Sequence, residues 1–330
     1  MSKYVPPFKV TTKSISLIAE ISAQLERYTI RMEQSDALLL RKVNRIKTIQ
    51  GSLAIEGNTL SEAQITAILE GKHIIAPMRE VQEVRNAIKT YDTFTKLNPY
   101  SNTDLLHAHK TMMTGLIDEA GMFRKGGVGV FAGTEVVHLA PPAERVPQLI
   151  KELLEWLEHS EDHPLVKSSV FHYEFEFIHP FADGNGRMGR LWQTLILSNW
   201  KPVFAHVPLE NMVYAHQAEY YAAINESTEK TDAGIFIEFL LGVILETLLR
   251  HQENTPEVAP EVTPEVKKLL DVYKDSESLT RKELQARLGL KDEKNFRQRY
   301  LLPAISGGYI EMTIQDKPSS RLQKYRRLQK

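Results

Sequence analysis

The chain has 330 residues, 42% hydrophobic and 25% charged, which excludes a wholly disordered or collagen-like polypeptide and leads to an expectation of two domains of unequal size. It has no Cys, so disulfides, thiolate metal sites and Cys nucleophiles are excluded, and a reducing, cytoplasmic home is expected. A net charge of -1, from 41 basic and 42 acidic residues, argues against a polyanion binder only if that charge is evenly spread.

The start, Met1 to Phe8, lacks the apolar stretch of a secretory signal. Residues 35–57 carry Leu38, Leu39, Val43, Ile46, Ile49 and Leu53 mostly three and four apart, the stripe of an amphipathic helix that stops at Gly57. His107 and His109 are two apart, on different helix faces, so they predict no shared metal. Residues 126–139 alternate β-branched residues around a Gly-containing turn and predict a short hairpin; Glu135 and His138 read as its surface.

Helical patterns follow at 146–157, 187–200 and 234–249. The last is the most apolar stretch, but Glu238 and Glu246 interrupt it and it falls short of the ~20 residues of a membrane span. Between them Phe171, Tyr173, Phe175 and Phe177 alternate as a strand could, and His172, Glu174 and Glu176 read as the polar side of an amphipathic segment.

Three Pro-Glu-Val units in 252–266 predict an extended linker, placed at 251–266. Divided there, the near-neutral charge proves to be a cancellation: residues 264–330 hold 16 basic and 9 acidic residues, net +7, against 25 and 33, net -8, in the rest. In the basic part, Thr280 and Glu283 have capping-box spacing for a helix ending at Gly289, and a second helix is predicted from about Asp292 to Leu302, before Pro303. A hairpin follows around Gly307 to Ile314, then the basic run Arg321, Lys324, Arg326 and Arg327. Helix, turn, helix, hairpin is the order of a winged helix, with Lys294, Arg297 and Arg299 on its second helix. DNA binding, or alternatively protein interaction or homo-oligomer packing, is open to such a module.

The densest chemistry lies in 179–190, HPFADGNGRMGR. Pro180 turns the chain at His179, and Gly184 and Gly186 bracket a helix start whose free amides form an anion site. Arg187 and Arg190 add charge-assisted contacts to phosphates, the carboxylate of Asp183 suits Mg²⁺ beside them, and His179 is a base suited to neutral pH. A metal-nucleotide transfer site, a dinucleotide loop of G-x-G-x-x-G type and a structural turn pinned by arginines all remain open on spacing alone.

Residues 179–190 match throughout the Fic-family signature H-x-F-x-[DE]-G-N-G-R-x-x-R, eight fixed positions in twelve, and the resemblance covers roughly residues 40–250. It implies a mainly α fold: a Fic-type helical bundle with a short β-hairpin flap, plus the small C-terminal winged-helix domain. The expected division is 1–100, an N-terminal helical region carrying an inhibitory helix (35–57); 101–250, the catalytic core; the linker 251–266; and 267–330. The implied activity transfers AMP from Mg-ATP to a Ser, Thr or Tyr hydroxyl of an unidentified target protein or of the enzyme itself. His179 would be the base and Asp183 would hold Mg²⁺. Gly184, Asn185, Gly186, Arg187 and Arg190 would bind phosphate, and Phe181 would be core. The flap, Gly127 to Leu139, would align the target strand, with Val137, His138, Leu139 and the pair Tyr220–Tyr221 near the adenosine. Ser52 to Gly57 resembles the family's inhibitory motif [ST]-x-x-x-E-[GN], which implies that Glu56 engages Arg190 and blocks productive ATP binding. The rival class is a nucleotide-responsive DNA-binding regulator; within the family, another nucleotide or removal of AMP are the alternatives.

Overall fold

Helices dominate, and local chemistry sets their ends. In the computed structural model the described residues are 4–32, 37–127, 129–132, 135–253, 264–273, 277–290, 292–306, 309–313 and 323–328. The chain divides into two units, Met1–Gln252 and Glu253–Lys330.

The first unit begins with α1 (Thr12–Met32), α2 (Ala37–Ile55), α3 (Glu62–Leu69), α4 (Met78–Thr93) and α5 (Asn102–Met113). α2 ends in a Schellman turn: Asn58 N–H bonds Leu53 O and Gly57 N–H bonds Ala54 O, with Gly57 at φ 89°. Glu56 is thus the residue at which the helix stops. The predicted stripe needs one correction: Leu38 is exposed, and the buried face includes Asn44, Thr48 and Ser52 beside Ile49 and Leu53. Asn44 earns its place by donating to Tyr28 Oη and His206 O, both at 2.9 Å. The side chain of Leu39 lies outside those described.

β1 (Gly129–Ala132) and β2 (Glu135–Leu139) form the predicted hairpin, antiparallel and irregular between Val130 and Phe131. Then come α6 (Val146–His159), α7 (Pro164–Ile178), α8 (Asn185–Trp200), α9 (Leu209–Ala215), α10 (Gln217–Lys230) and α11 (Gly234–Glu253). Phe171, Tyr173, Phe175 and Phe177 lie on α7, so the strand reading of that alternation, and the dinucleotide reading built on it, are wrong. α7 is buried nearly all round, as a central helix must be when its flanks are all covered. It lies against α8 in the most extensive helix pair of the unit, and residues from both ends of 4–252 share one apolar core. Among the described residues no helix is long and apolar enough to cross a membrane.

The second unit has its own core, built on Leu269, Leu284, Phe296, Ala304 and Ile310. Its elements are α12 (Pro264–Asp271), β3 (Ser278–Thr280), α13 (Arg281–Arg287), α14 (Glu293–Phe296), α15 (Leu302–Ser306), β4 (Ile310–Met312) and β5 (Lys324–Arg327). The strands make an antiparallel sheet in the order β3-β5-β4, the arrangement expected of a winged helix. The Thr280–Glu283 capping box forms as predicted.

Two boundaries differ. The predicted linker loses both ends to helices, since α11 runs through Glu253 and α12 starts at Pro264, where a missing N–H costs nothing; residues 254–263 lie outside those described. The second helix does not stop before Pro303: a π-turn (Arg297–Leu301) resets the ladder, which places Pro303 in the first turn of α15.

Candidate active site

His179 caps α7 in the left-handed conformation, φ 49° and ψ 62°, unusual for a residue other than Gly and held only where neighbours impose it. Arg124 imposes it. Its buried guanidinium donates from Nε to His179 O at 2.7 Å and from Nη2 to Ile178 O at 3.3 Å. The same group donates to Gly126 O at 2.8 Å and Pro141 O at 2.5 Å, on the two sides of the hairpin, and Arg124 N–H bonds Pro180 O at 2.9 Å. One side chain therefore ties the histidine turn to both roots of the flap. Sequence reasoning missed it, because an Arg between Phe123 and Gly126 carries no pattern of its own.

The loop after His179 is shaped from within. Asn185 Oδ1 accepts from Phe181 N–H at 2.8 Å and its Nδ2 donates to Phe181 O at 2.9 Å. The Asn185 side chain thus holds the loop expected to bind phosphate. Phe181 is core as expected, stacked on His109 with centroids 3.6 Å apart. His109 Nδ1 accepts from Gly121 N–H at 2.9 Å, which leaves the proton on Nε2 to donate to Asp183 O at 3.0 Å. Burial lowers its pKa to about 4, so it is neutral, and its two hydrogen bonds prop the loop. Gly184, at φ 84°, caps α8, and a Cβ there would meet Met113 Sδ at 2.7 Å.

Asp183 Oδ1 accepts from Gly184 N–H at 2.6 Å and Arg187 Nη2 at 3.1 Å, while Oδ2 lies 3.5 Å from Arg79 Nη2. Arg187 Nη1 is 3.9 Å from Glu83 Oε1, and Asn58 donates to Glu83 Oε2 at 2.8 Å. Arg190 Nη2 donates to Glu56 Oε1 at 2.7 Å and to Ser52 O at 3.0 Å. Ser52 thus reaches the arginine through its backbone carbonyl. Burial by itself depresses the Arg190 guanidinium, yet Glu56 and its other anionic neighbours hold its pKa above the ordinary value. A Cβ on Gly186 would meet Glu56 Oε1 at 2.5 Å and Arg190 Nη1 at 2.9 Å, so the Glu56 carboxylate lies directly over the start of α8. Nε and Nη1 of both Arg187 and Arg190 are buried without a hydrogen-bond partner. Four guanidinium nitrogens with no hydrogen-bond partner beside a helix N-terminus suit the oxygens of a polyphosphate.

Tyr220 and Tyr221 separate. Tyr220 is buried, with its Oη 3.1 Å from His172 Nε2, whereas Tyr221 is 38% exposed. The side chains of Val137, His138 and Leu139 lie outside those described. His172, Glu174 and Glu176 are not the polar side of an amphipathic helix, because all three are buried or nearly so. His172 Nδ1 pairs with Gln193 Oε1 at 2.8 Å, and burial pushes its pKa down to about 3. Glu174 Oε2 accepts from Tyr4 Oη at 2.6 Å. Burial raises Glu176 to about 7.

In the second unit Arg299 donates to Glu265 at 2.7 Å, and Arg281, Arg287 and Arg326 pair with Glu293, Glu277 and Glu311. These pairs answer cations that a phosphate backbone would otherwise draw. Arg321 and the Lys294 side chain lie outside those described.

Comparison with known proteins agrees with this geometry. Residues 99–197 match the Fic/DOC family, and 264–328 match the C-terminal domain of Filamentation induced by cAMP protein Fic-like. The chain is 33% identical over 190 residues to protein adenylyltransferase fic-1 of Caenorhabditis elegans, covering 53% of this chain and 35% of that one. It is 30% identical over 226 residues to protein adenylyltransferase Fic of Culex quinquefasciatus, covering 65% and 43%. The chain thus spans less than half the length of these curated relatives. A solved structure of a Fic family protein from Desulfovibrio desulfuricans G20 is 46% identical over 99% of both chains, with a TM-score of 0.80. With a family signature built into one site and a relative alike from end to end, the chain belongs to the Fic family.

Proposed function

We propose that the chain is a protein adenylyltransferase that transfers AMP from ATP to a protein hydroxyl and is held inactive by Glu56. The observation that carries this reading is the 2.7 Å pair between Glu56 and Arg190, set over Gly186, where the terminal phosphates of a nucleotide would meet the first turn of α8. The curated relatives named protein adenylyltransferase support the reaction class.

In the reaction the target hydroxyl oxygen bonds the α-phosphorus, the bond from that phosphorus to the bridging oxygen breaks, and pyrophosphate departs. His179 accepts the hydroxyl proton. The amides that open α8, with Arg187 and Arg190, hold the phosphates in line. Asp183 fits Mg²⁺ as a single partly exposed carboxylate: no group of three ligating side chains exists among the described residues, so phosphate oxygens would complete the shell. The ion supplies charge neutralisation on the phosphates. The hairpin, anchored by Arg124, offers a strand edge along which an extended target segment would pair.

Glu56 is the anion already in place. While it holds Arg190, the outermost phosphate loses its partner and the α-phosphorus falls out of line. Incubating wild type, Glu56→Gly and His179→Ala with labelled ATP and Mg²⁺ tests the proposal. Label enters protein fastest with Glu56→Gly and not at all with His179→Ala. No label from Glu56→Gly would refute adenylyl transfer, and equal labelling by wild type would refute the block.

A further inference from the structure

Glu176 lies one turn of α7 before His179, under the start of α8, and has no part in the chemistry above. Its Oε2 is 3.9 Å from His179 Nδ1, with side-chain exposures of 11% and 19%. Its Oε1 is buried without a hydrogen-bond partner and is 3.9 Å from His172 Nε2, which already engages Tyr220 Oη. Space for this carboxylate comes from Gly189, where a Cβ would meet Glu176 Oε1 at 2.9 Å.

We propose that Glu176 is the positioning residue of the histidine: its carboxylate takes the hydrogen bond of His179 Nδ1–H and so presents Nε2, unprotonated, to the target hydroxyl. The inference rests on the adenylyl-transfer reading.

Geometry supports it first. Residues i and i+3 share a helix face, and the left-handed turn at His179 keeps its ring near that face although α7 has ended. Closing 3.9 Å to a hydrogen bond takes about 1 Å, within the reach of one side-chain rotation. Chemistry supports it next. A base that takes a proton at Nε2 must carry one on Nδ1, and a carboxylate there fixes the tautomer and answers the imidazolium that forms.

The charged and titratable groups around Glu176 are His172 and His179 on α7, Arg190 on α8, Tyr220 and Tyr221 on α10, and Glu56 at the end of α2. Arg190 favours its carboxylate form, whereas burial and Glu56 oppose it. Removing the Glu56 charge therefore helps Glu176 to ionise.

The test compares Glu56→Gly with the double variant Glu56→Gly/Glu176→Gln, using labelled ATP and a Ser-, Thr- or Tyr-bearing acceptor or self-modification, from pH 5.5 to 9. The amide keeps the volume and removes the charge. Expected are a kcat 10- to 100-fold lower, a KM for ATP within twofold, and an acid limb of the pH–rate profile moved to lower pH, because the imidazolium loses its anion. Gly189→Ala, which crowds the carboxylate without altering it, should lower kcat in the same direction. A kcat within twofold in the Gln variant overturns the proposal. So does a lower kcat with an unmoved acid limb and a lowered Tm, which would make Glu176 a packing residue only. If Glu56→Gly itself transfers no AMP, the adenylyl-transfer reading fails, and this inference with it; if it does and the Glu176 variant matches it, this inference alone fails.

Discussion

Arg190 Nη2 touches two points of one helix end: it donates to Glu56 Oε1 at 2.7 Å and to Ser52 O at 3.0 Å, while its side chain is only 2% exposed. The carboxylate and the carbonyl come from the residue that stops α2 and the one a turn earlier. The guanidinium on α8 therefore reads whether α2 is in place.

This arrangement separates activity from stability. If Glu56 blocks the phosphate site as proposed, Glu56→Gly should raise AMP transfer at least 10-fold in a labelled-ATP assay. It also leaves a buried guanidinium with a carbonyl but no carboxylate, a change that costs up to about 3 kcal/mol when a partner of a buried pair is lost. Calorimetry should show a lower Tm for Glu56→Gly, regained when ATP and Mg²⁺ bind. A Tm equal to wild type, with ATP giving no added stabilisation, would separate Glu56 from the phosphate site.

Arg124 makes the flap and the histidine one mechanical object. Arg124→Met deletes four charge-assisted bonds to carbonyls while keeping most of the bulk. In the Glu56→Gly background, target modification should fall at least 30-fold while ATP binding, measured by equilibrium dialysis, changes by less than threefold, because no phosphate ligand is touched. Hydrogen exchange should rise in residues 126–141. An equal loss of ATP affinity would mean that Arg124 supports the phosphate loop instead.

Much of this site was legible in the sequence because its parts are local. Residues 179–190 form one turn and one helix start, and Gly, Asn, Asp and Arg at those spacings announce a backbone that cradles an anion. Glu56 was reached only through the resemblance of residues 52–57 to the inhibitory motif, since a Glu before a helix-stopping Gly does not by itself name Arg190 as its partner. Arg124 and His109 were not legible, because their partners are backbone groups of the distant 178–183 turn, and such contacts leave no periodicity. The buried polar face of α7 was misread for a related reason. His172 and Glu174 look solvated until Gln193, Tyr220 and Tyr4 arrive from other parts of the chain. Pro303 misled because a π-turn changes which residue needs a free N–H.

Glu210 and Glu176 each make the fold less stable as pH rises. Glu210 Oε1 accepts from Tyr91 Oη and Thr194 Oγ1, both at 3.1 Å, while Oε2 is buried without a partner, and burial raises the Glu210 pKa to about 7. A carboxyl raised in the folded state binds more protons there than when unfolded, so its contribution is complete below about pH 4.5 and is lost as pH rises through about 7. His109 and His172, held neutral by burial, act in the opposite direction across pH 5.5 to 8, so the Glu210 contribution is read from how substitution changes the slope of Tm against pH. Glu210→Gln, neutral at every pH, should make that slope more positive and raise Tm at pH 8 more than at pH 5.5. A slope unchanged by the substitution would place the pH dependence elsewhere.

Gly51 offers a way to move Glu56 without touching it. It lies on α2 where that helix crosses α9 so closely that a Cβ would stand 2.5 Å from Asn211 N and Cα and 2.7 Å from Glu210 C, all backbone atoms that cannot rotate away. Gly51→Ala must push the helices apart, an overpacking that costs about 1–3 kcal/mol, partly offset by the better helix propensity of Ala, about 1 kcal/mol. Glu56 is five residues further along the same helix and should move off Arg190 with it. Urea melts should therefore report a net loss of stability, and labelled ATP should report faster AMP transfer than wild type, though slower than Glu56→Gly. Adding Gly51→Ala to Glu56→Gly should give no further gain in rate, since the carboxylate it displaces is already absent. A stable Gly51→Ala protein with wild-type activity would show that α2 absorbs the methyl group locally and that its crossing with α9 does not set the position of Glu56.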